Sequence, residues 1–163
     1  MNKVAGELFT GDVAVKTGGS DAIPSGDHYT IDTNGRAFAS RPTSMHFWYK
    51  YAPLKSDTWR AKLVLMDAAH EVIAEKELTA SNSVSDWQEA NVNLDFTDGT
   101  LYSKCAYIYV VFSSTVNAGA NMPWERKDGY QLWEGDQLVN KNETRSFIGS
   151  ILTIDDISLV YDK

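Results

Sequence analysis

Two adjacent carboxylates, Asp155 and Asp156, interrupt an apolar, β-branched run from Ile151 to Tyr161 near the end of the chain. Hard oxygen donors of this kind suit calcium, which takes roughly six to eight oxygens, backbone carbonyls included. The same pair has a structural reading. Leu152 and Ile154 hold one register of the run, whereas Ile157, Leu159 and Tyr161 hold the opposite one. Alternation with period two survives that switch only if an extra residue is absorbed, so a β-bulge is expected at Asp155-Asp156. The acids would then cap backbone amides or pair with Arg or Lys.

A second kind of chemistry is written in the aromatic residues. Sugars present C–H patches on one face and hydroxyls around the rim. A sugar site therefore wants an exposed ring as a plate, with planar polar groups beside it. Two groups of residues answer that description. One is the alternating series His46, Trp48 and Lys50, joined by Arg60, Lys62, Tyr107 and Tyr109 on what reads as one sheet face. The other is Trp124, Tyr130 and Trp133, beside Asn121, Glu125, Arg126, Asp128 and Gln131. The bland reading of the first group is a packed, covered face. For the second, it is rings that pin a long loop to the body, since a loop of that length needs apolar anchors to be ordered. The ligand reading expects at least one of Trp124 and Trp133 to be exposed.

Catalytic signals are weak by comparison. With 22 acids in 163 residues, carboxylate pairs arise by chance. His28, His46 and His70 have no metal-binding spacing. No nucleophile elbow, phosphate loop or dinucleotide fingerprint is present. Cys105 is the single cysteine and adjoins the apolar run Ala106-Tyr107-Ile108, which reads as a buried small hydrophobe.

The elements that must position these residues are strands. Ser44 to Tyr51 alternates strictly, with Met45, Phe47, Tyr49 and Tyr51 on one face. Thr58 to Met66 repeats the pattern, and Asp67-Ala68-Ala69-His70 reads as a hairpin turn returning through Glu71 to Leu78. Ala, Glu and Lys in that return favour helix, but the short turn and Val72-Ile73 favour strand. Glu7 to Val15, Arg36 to Ser40 and Trp87 to Phe96 also read as strands. Ala106 to Ser113 is the most continuous apolar run and reads as a central strand covered on both faces. Thr17 to Asp27 is a turn-rich loop. Residues 114–148 read as a long aromatic-bearing loop before the last strand, with room for a short hairpin around Tyr130 to Val139. About eight strands spaced by turns predict an all-β, two-sheet antiparallel sandwich filling one domain, 1–163.

Composition narrows the partners. Five Trp, eight Tyr and six Phe argue against disorder. A net charge of −7 repels phosphate backbones and anionic lipid heads, which disfavours nucleic acid and membrane surfaces. No apolar run approaches a membrane span of ~20 residues. Met1-Asn2-Lys3 leads almost directly into strand-like sequence, as expected of the C-terminal module of a longer, exported precursor.

Three stretches together resemble a family, the "putative carbohydrate metabolism" domains of surface and exported proteins from gut Gram-negative bacteria. They are Gly6-Glu7-Leu8-Phe9-Thr10-Gly11, then Arg41-Pro42 followed by Phe47-Trp48-Tyr49-Lys50-Tyr51-Ala52-Pro53, and Gly149-Ser150 leading to Ile154-Asp155-Asp156-Ile157-Ser158-Leu159. Their order covers nearly the whole chain, although each alone is unspecific. The long Trp-bearing segment 114–148 departs from the family pattern. The resemblance implies a jelly roll of the galactose-binding, carbohydrate-binding-module kind. It implies a structural calcium between first and last strands, with Glu7 joining Asp155 and Asp156. It also implies cell-surface, outer-membrane-associated or periplasmic residence beside other domains of a parent protein. The leading expectation is a non-catalytic glycan-binding module. The alternatives are a structural or protein-interaction module of a surface assembly, and a glycoside hydrolase.

Overall fold

The computed structural model describes residues 7–11, 13–15, 29–31, 33–97, 99–100, 103–117, 123–134 and 137–161. For 13–15, 29–31, 126–134 and 137–148 it describes the backbone alone. Every regular element among these residues is a strand: β1 (Glu7–Phe9), β2 (Val13–Val15), β3 (Tyr29–Ile31), β4 (Arg36–Ala37), β5 (Ser44–Ala52), β6 (Trp59–Met66), β7 (Val72–Ala80), β8 (Val84–Asn93), β9 (Tyr107–Ser113), β10 (Glu125–Glu134), β11 (Gln137–Ile148) and β12 (Ile151–Val160). The larger sheet runs β1-β9-β6-β7, with β4 also on β9, and the smaller runs β12-β5-β8. All pairings are antiparallel. The expected all-β sandwich is what the chain forms.

Alternation explains the core. Met45, Phe47, Tyr49 and Tyr51 point inward from β5 and meet Trp59, Ala61, Leu63 and Leu65 from β6, with Ile108 and Phe112 from β9. Phe47 is the hub. Its ring sits edge-on to Phe112 at 4.9 Å and to Trp59 at 6.1 Å, both favourable aromatic geometries. Cys105 is buried within this cluster, as its apolar neighbours predict.

The β6–β7 turn is also as expected. Asp67 Oδ1 accepts from the backbone N–H of Ala69 (2.8 Å) and of Glu71 (3.0 Å), and His70 takes a positive φ of 62° to close it. Tertiary pairing with β6 overrides the helix propensity of the return strand.

Three expectations need correction. The single strand expected over Glu7 to Val15 is broken at Thr10-Gly11 into β1 and β2. Thr10 ends the pairing, because its hydroxyl takes the N–H of Val110 (2.9 Å) in place of a ladder bond. The strand expected to begin at Trp87 begins three residues earlier, at Val84. Lastly, the long loop is mostly a hairpin: β10 pairs with β11 from Glu125↔Ile148 to Glu134↔Gln137. Its polar sequence hid the strands, because it lacks the apolar alternation by which a half-buried strand is recognised. The turn-rich loop expected over Thr17 to Asp27 lies outside the described residues.

A buried carboxylate ties the loops at one end of the sandwich. Asp57, only 1% exposed, precedes β6. Its Oδ1 accepts from Thr58 N (2.9 Å), Thr115 Oγ1 (2.7 Å) and Asn117 Nδ2 (2.9 Å), and its Oδ2 accepts from Ser150 Oγ at 2.5 Å. Burial alone would raise its pKa. These donors outweigh burial and hold the carboxyl below its ordinary value. Ser150 in turn accepts the Leu54 N–H at 3.0 Å. One side chain thus joins the β5–β6 connection to both ends of the segment carrying the β10–β11 hairpin.

Candidate functional site

The smaller sheet presents the candidate site on its outer side. Its central strand β5 sends Met45, Phe47 and Tyr49 into the core, so His46, Trp48 and Lys50 emerge on the other face. Trp48 is half-buried. It lies in register with Glu89 of β8 on one side and Asp155 of β12 on the other, both exposed. With strands ~4.8 Å apart, the two carboxyl-bearing positions flank the indole by one strand each. Next along β5, Lys50 Nζ sits 4.8 Å from the centroid of the Trp87 ring, and Trp87 is 42% exposed. His46 stands edge-on to Trp48 at 6.3 Å, and its Nε2 bonds Glu89 Oε1 at 2.8 Å.

Both flanking strands bulge around this point. On β12 the register shifts between Asp155 (opposite Trp48) and Ser158 (opposite His46), so Asp156 and Ile157 together face Phe47. Asp156 adopts a positive φ of 50°, and its N–H bonds the Asp155 carboxylate at 2.9 Å. This is the bulge that the register switch predicts, with one acid capping a backbone amide. On β8, three residues (Ser85, Asp86 and Trp87) lie between the pairs Tyr51↔Val84 and Tyr49↔Gln88, where β5 has only Lys50. Bulges re-aim side chains and cluster beside functional sites. Here they bring Trp87 beside Lys50 and leave Asp155 next to Trp48.

The face grouped from sequence is in fact two faces. His46, Trp48 and Lys50 belong to the smaller sheet, whereas Arg60, Lys62, Tyr107 and Tyr109 belong to the outer side of the larger sheet. The inward residues of both sheets share one core, so these faces look in opposite directions. Alternation says which side of a strand a residue occupies, not which sheet the strand joins. The larger sheet's outer face is also unlike the smaller one's. Tyr109 is buried there with Val64, Met66 and Val111, and burial raises its phenol pKa. Arg60 pairs with Glu7 at 3.5 Å, and Tyr107 stacks on His70 at 4.0 Å.

The carboxylates expected to share a calcium ion are likewise divided. Glu7 stands opposite Ser113 on the larger sheet, beside Arg60. Asp155 faces outward from the smaller sheet, across the sandwich. Among the described residues no three His, Cys, Asp or Glu side chains gather in a metal-binding group. Glu7, Asp155 and Asp156 therefore do not fit a common calcium site.

Of the second aromatic group, Trp124 precedes β10 and is 38% exposed, as the ligand reading expects of at least one of its tryptophans. Tyr130 and Trp133 lie on β10, where Trp133 pairs with Leu138 and Tyr130 with Lys141. Their side chains lie outside the described set.

Sequence reasoning missed Trp87 and Glu89. The signal was present. Ala90 and Val92 face the core, so odd-numbered positions of β8 face outward with Asn91 and Asn93, and both residues share that parity.

No family model and no curated protein matches the chain. Two solved structures are similar to it in fold. One is described as a "putative glycoside hydrolase" from Bacteroides thetaiotaomicron, at 16% identity and a TM-score of 0.55, with 98% of this chain and 48% of that one covered. The other carries the same description, from Bacteroides vulgatus, at 17% identity and a TM-score of 0.55, with 96% of this chain and 64% of that one covered. At these identities the likeness is one of fold. The chain spans about half of the first structure's length and just under two thirds of the second's.

Proposed function

We propose that this chain is a non-catalytic carbohydrate-binding module of a larger exported or cell-surface protein, and that the outer face of the smaller sheet holds the glycan. The observation that carries the reading is Trp48, half-buried at the middle of a three-stranded sheet, with Glu89 and Asp155 on its two flanks and the exposed Trp87 next along the face, under Lys50. An indole plate supplies apolar contact to the C–H face of a sugar ring. Planar carboxylates on either side accept hydrogen bonds from adjacent hydroxyls. Support also comes from the fold, which is similar to that of two proteins each described as a "putative glycoside hydrolase" and covers only part of each. Binding, not hydrolysis, is the reading the site favours, because among the described residues its side chains line a sheet face, not an enclosing cleft.

The test is a glycan array followed by titration calorimetry on the whole chain. Trp48→Ala is expected to weaken binding at least tenfold, since losing a ring contact of ~1.5 kcal/mol is worth about that factor. Trp87→Ala should weaken it less. If the native chain binds glycans and Trp48→Ala binds them equally well, the site is elsewhere. Release of reducing sugar that disappears in Glu89→Gln would make the protein an enzyme instead.

A further inference from the structure

Carboxylates occupy both cross-strand positions beside Trp48, whereas the cations of that face, His46 and Lys50, lie two residues away along β5. Glu89 and Asp155 flank the indole directly, one on each neighbouring strand, and Asp156 follows in the bulge. Each of these cations has a partner on the face, and that of His46 is Glu89 itself, through one of its two carboxylate oxygens. His46 Nε2 is 2.8 Å from Glu89, and Lys50 Nζ lies 4.8 Å above the Trp87 ring. Arg60 and Lys62 face the other way, where Arg60 meets Glu7 and Lys62 Nζ meets Glu75 at 2.7 Å. A ligand stacked on Trp48 therefore meets carboxylates on both sides, on a chain whose net charge is −7.

Resting on the carbohydrate reading above, we infer that this face selects neutral glycans and rejects those bearing uronic acids or sulfate. A neutral sugar offers hydroxyl donors, which a carboxylate accepts on either oxygen. A uronate or sulfate offers only acceptors at its acid group and brings like charge to within roughly 5–8 Å of two carboxylates. That geometry follows from cross-strand spacing. Two such repulsions at a half-exposed surface correspond to on the order of tenfold or more in affinity at low salt. They are screened as the Debye length falls from ~10 Å at 0.1 M to ~3 Å at 1 M.

The experiment compares polymers that differ only in charge: fully methyl-esterified against de-esterified homogalacturonan, and desulfated against native sulfated galactan. Titrations are run with the native chain and with the double variant Glu89→Gln/Asp155→Asn. The native chain is expected to prefer each neutral polymer at least tenfold at low salt, with the ratio shrinking at 1 M salt. The double variant should bring the low-salt ratio close to one, whatever its absolute affinity. Equal or inverted preference in the native chain overturns the inference, and so does a ratio that the double variant leaves unchanged. If no polymer of either kind, and no glycan on the array, is bound, the carbohydrate reading itself fails. If glycans bind without charge preference, that reading stands and only the selectivity falls.

Discussion

Removing the Asp57 carboxylate should cost the fold more than any other polar substitution among the described residues. The magnitude can be worked from four bonds. Asp57→Ala leaves Thr58 N, Thr115 Oγ1, Asn117 Nδ2 and Ser150 Oγ without their acceptor, at a site 1% exposed. A hydrogen bond to a charged acceptor contributes about 1.5–3 kcal/mol, and a buried donor left unmet costs about 1–3 kcal/mol. Local relaxation and rotation of the two hydroxyls recover part of this, so the expected loss is roughly 4 kcal/mol. That is a large share of the ~5–15 kcal/mol typical of a domain. Ser150→Ala removes the 2.5 Å bond and the acceptor for Leu54 N, and should cost about 2–3 kcal/mol. The double variant should lose less than the sum, because the two residues share a bond. Urea unfolding followed by tryptophan fluorescence reads this out. With a slope near ~2 kcal/mol per M, Asp57→Ala moves the midpoint down by about 2 M. The pH dependence supplies a second, independent readout. The folded carboxyl is held below the unfolded value of about 3.9, so its contribution is fully present above that value and is lost as pH falls through the lower folded pKa. Asp57→Asn should flatten that acid limb. A midpoint shift below about 0.3 M for Asp57→Ala, or an acid limb unchanged in Asp57→Asn, would refute the account.

Two further substitutions probe the frame. Gly35→Ala places a Cβ 2.4 Å from the Ile108 carbonyl oxygen at a φ of 74°, so β4 must leave the edge of β9; a loss of about 2–4 kcal/mol in urea unfolding is expected, and a neutral result would mean that the strand yields freely. Phe47→Ala opens a void against Phe112 and Trp59 at the hub of the core, and calorimetric melting should show a loss of about 3–5 kcal/mol.

The strands were legible because each carries its own alternation. β5, β6 and β9 could be read within a residue or two from Met45, Phe47 and Tyr49, from Trp59, Ala61 and Leu63, and from the run at Tyr107 to Ser113. What alternation does not carry is the assignment of strands to sheets. That depends on long-range pairing, such as β12 to β5 and β1 to β9, and no local pattern encodes it. The same gap divided the site. His46 and Trp48 could be placed on one strand face, but Arg60 and Tyr109 were grouped with them although another sheet holds them. Asp57 was invisible for a related reason. Its partners Thr115, Asn117 and Ser150 are distant in sequence and individually unremarkable, and only the closed fold brings them to one carboxylate.

The Asp155-Asp156 bulge shows how one local signal serves two ends. Among the described strands β12 is an edge, paired to β5 alone, and an exposed apolar edge invites pairing with other chains. Two acids and a positive φ at Asp156 kink that edge, while the absorbed residue keeps Leu159 turned inward after the kink, opposite Met45. Ile157 and Leu159 then line, with Met45 and Phe112, an apolar cavity of about 380 Å³ between the sheets. Deleting Asp156 separates these effects from the chemistry of the acid. The shortened strand loses the bulge but keeps its register: Ile157 alone then meets Phe47, Ser158 still meets His46 and Leu159 still meets Met45, so both aliphatic side chains stay inward in plain alternation. Because no face is exchanged, the deletion should cost only on the order of 1 kcal/mol, the ordinary effect of a single change. Asp156→Gly keeps the bulge and relieves a non-glycine residue at positive φ, so it should leave stability within about 1 kcal/mol of the native chain or raise it slightly. Should the deletion instead cost at least about 3 kcal/mol more than Asp156→Gly, the size expected if Ile157 and Leu159 had turned outward, the register argument is wrong, and the closing strand would have to be held by something other than its alternation.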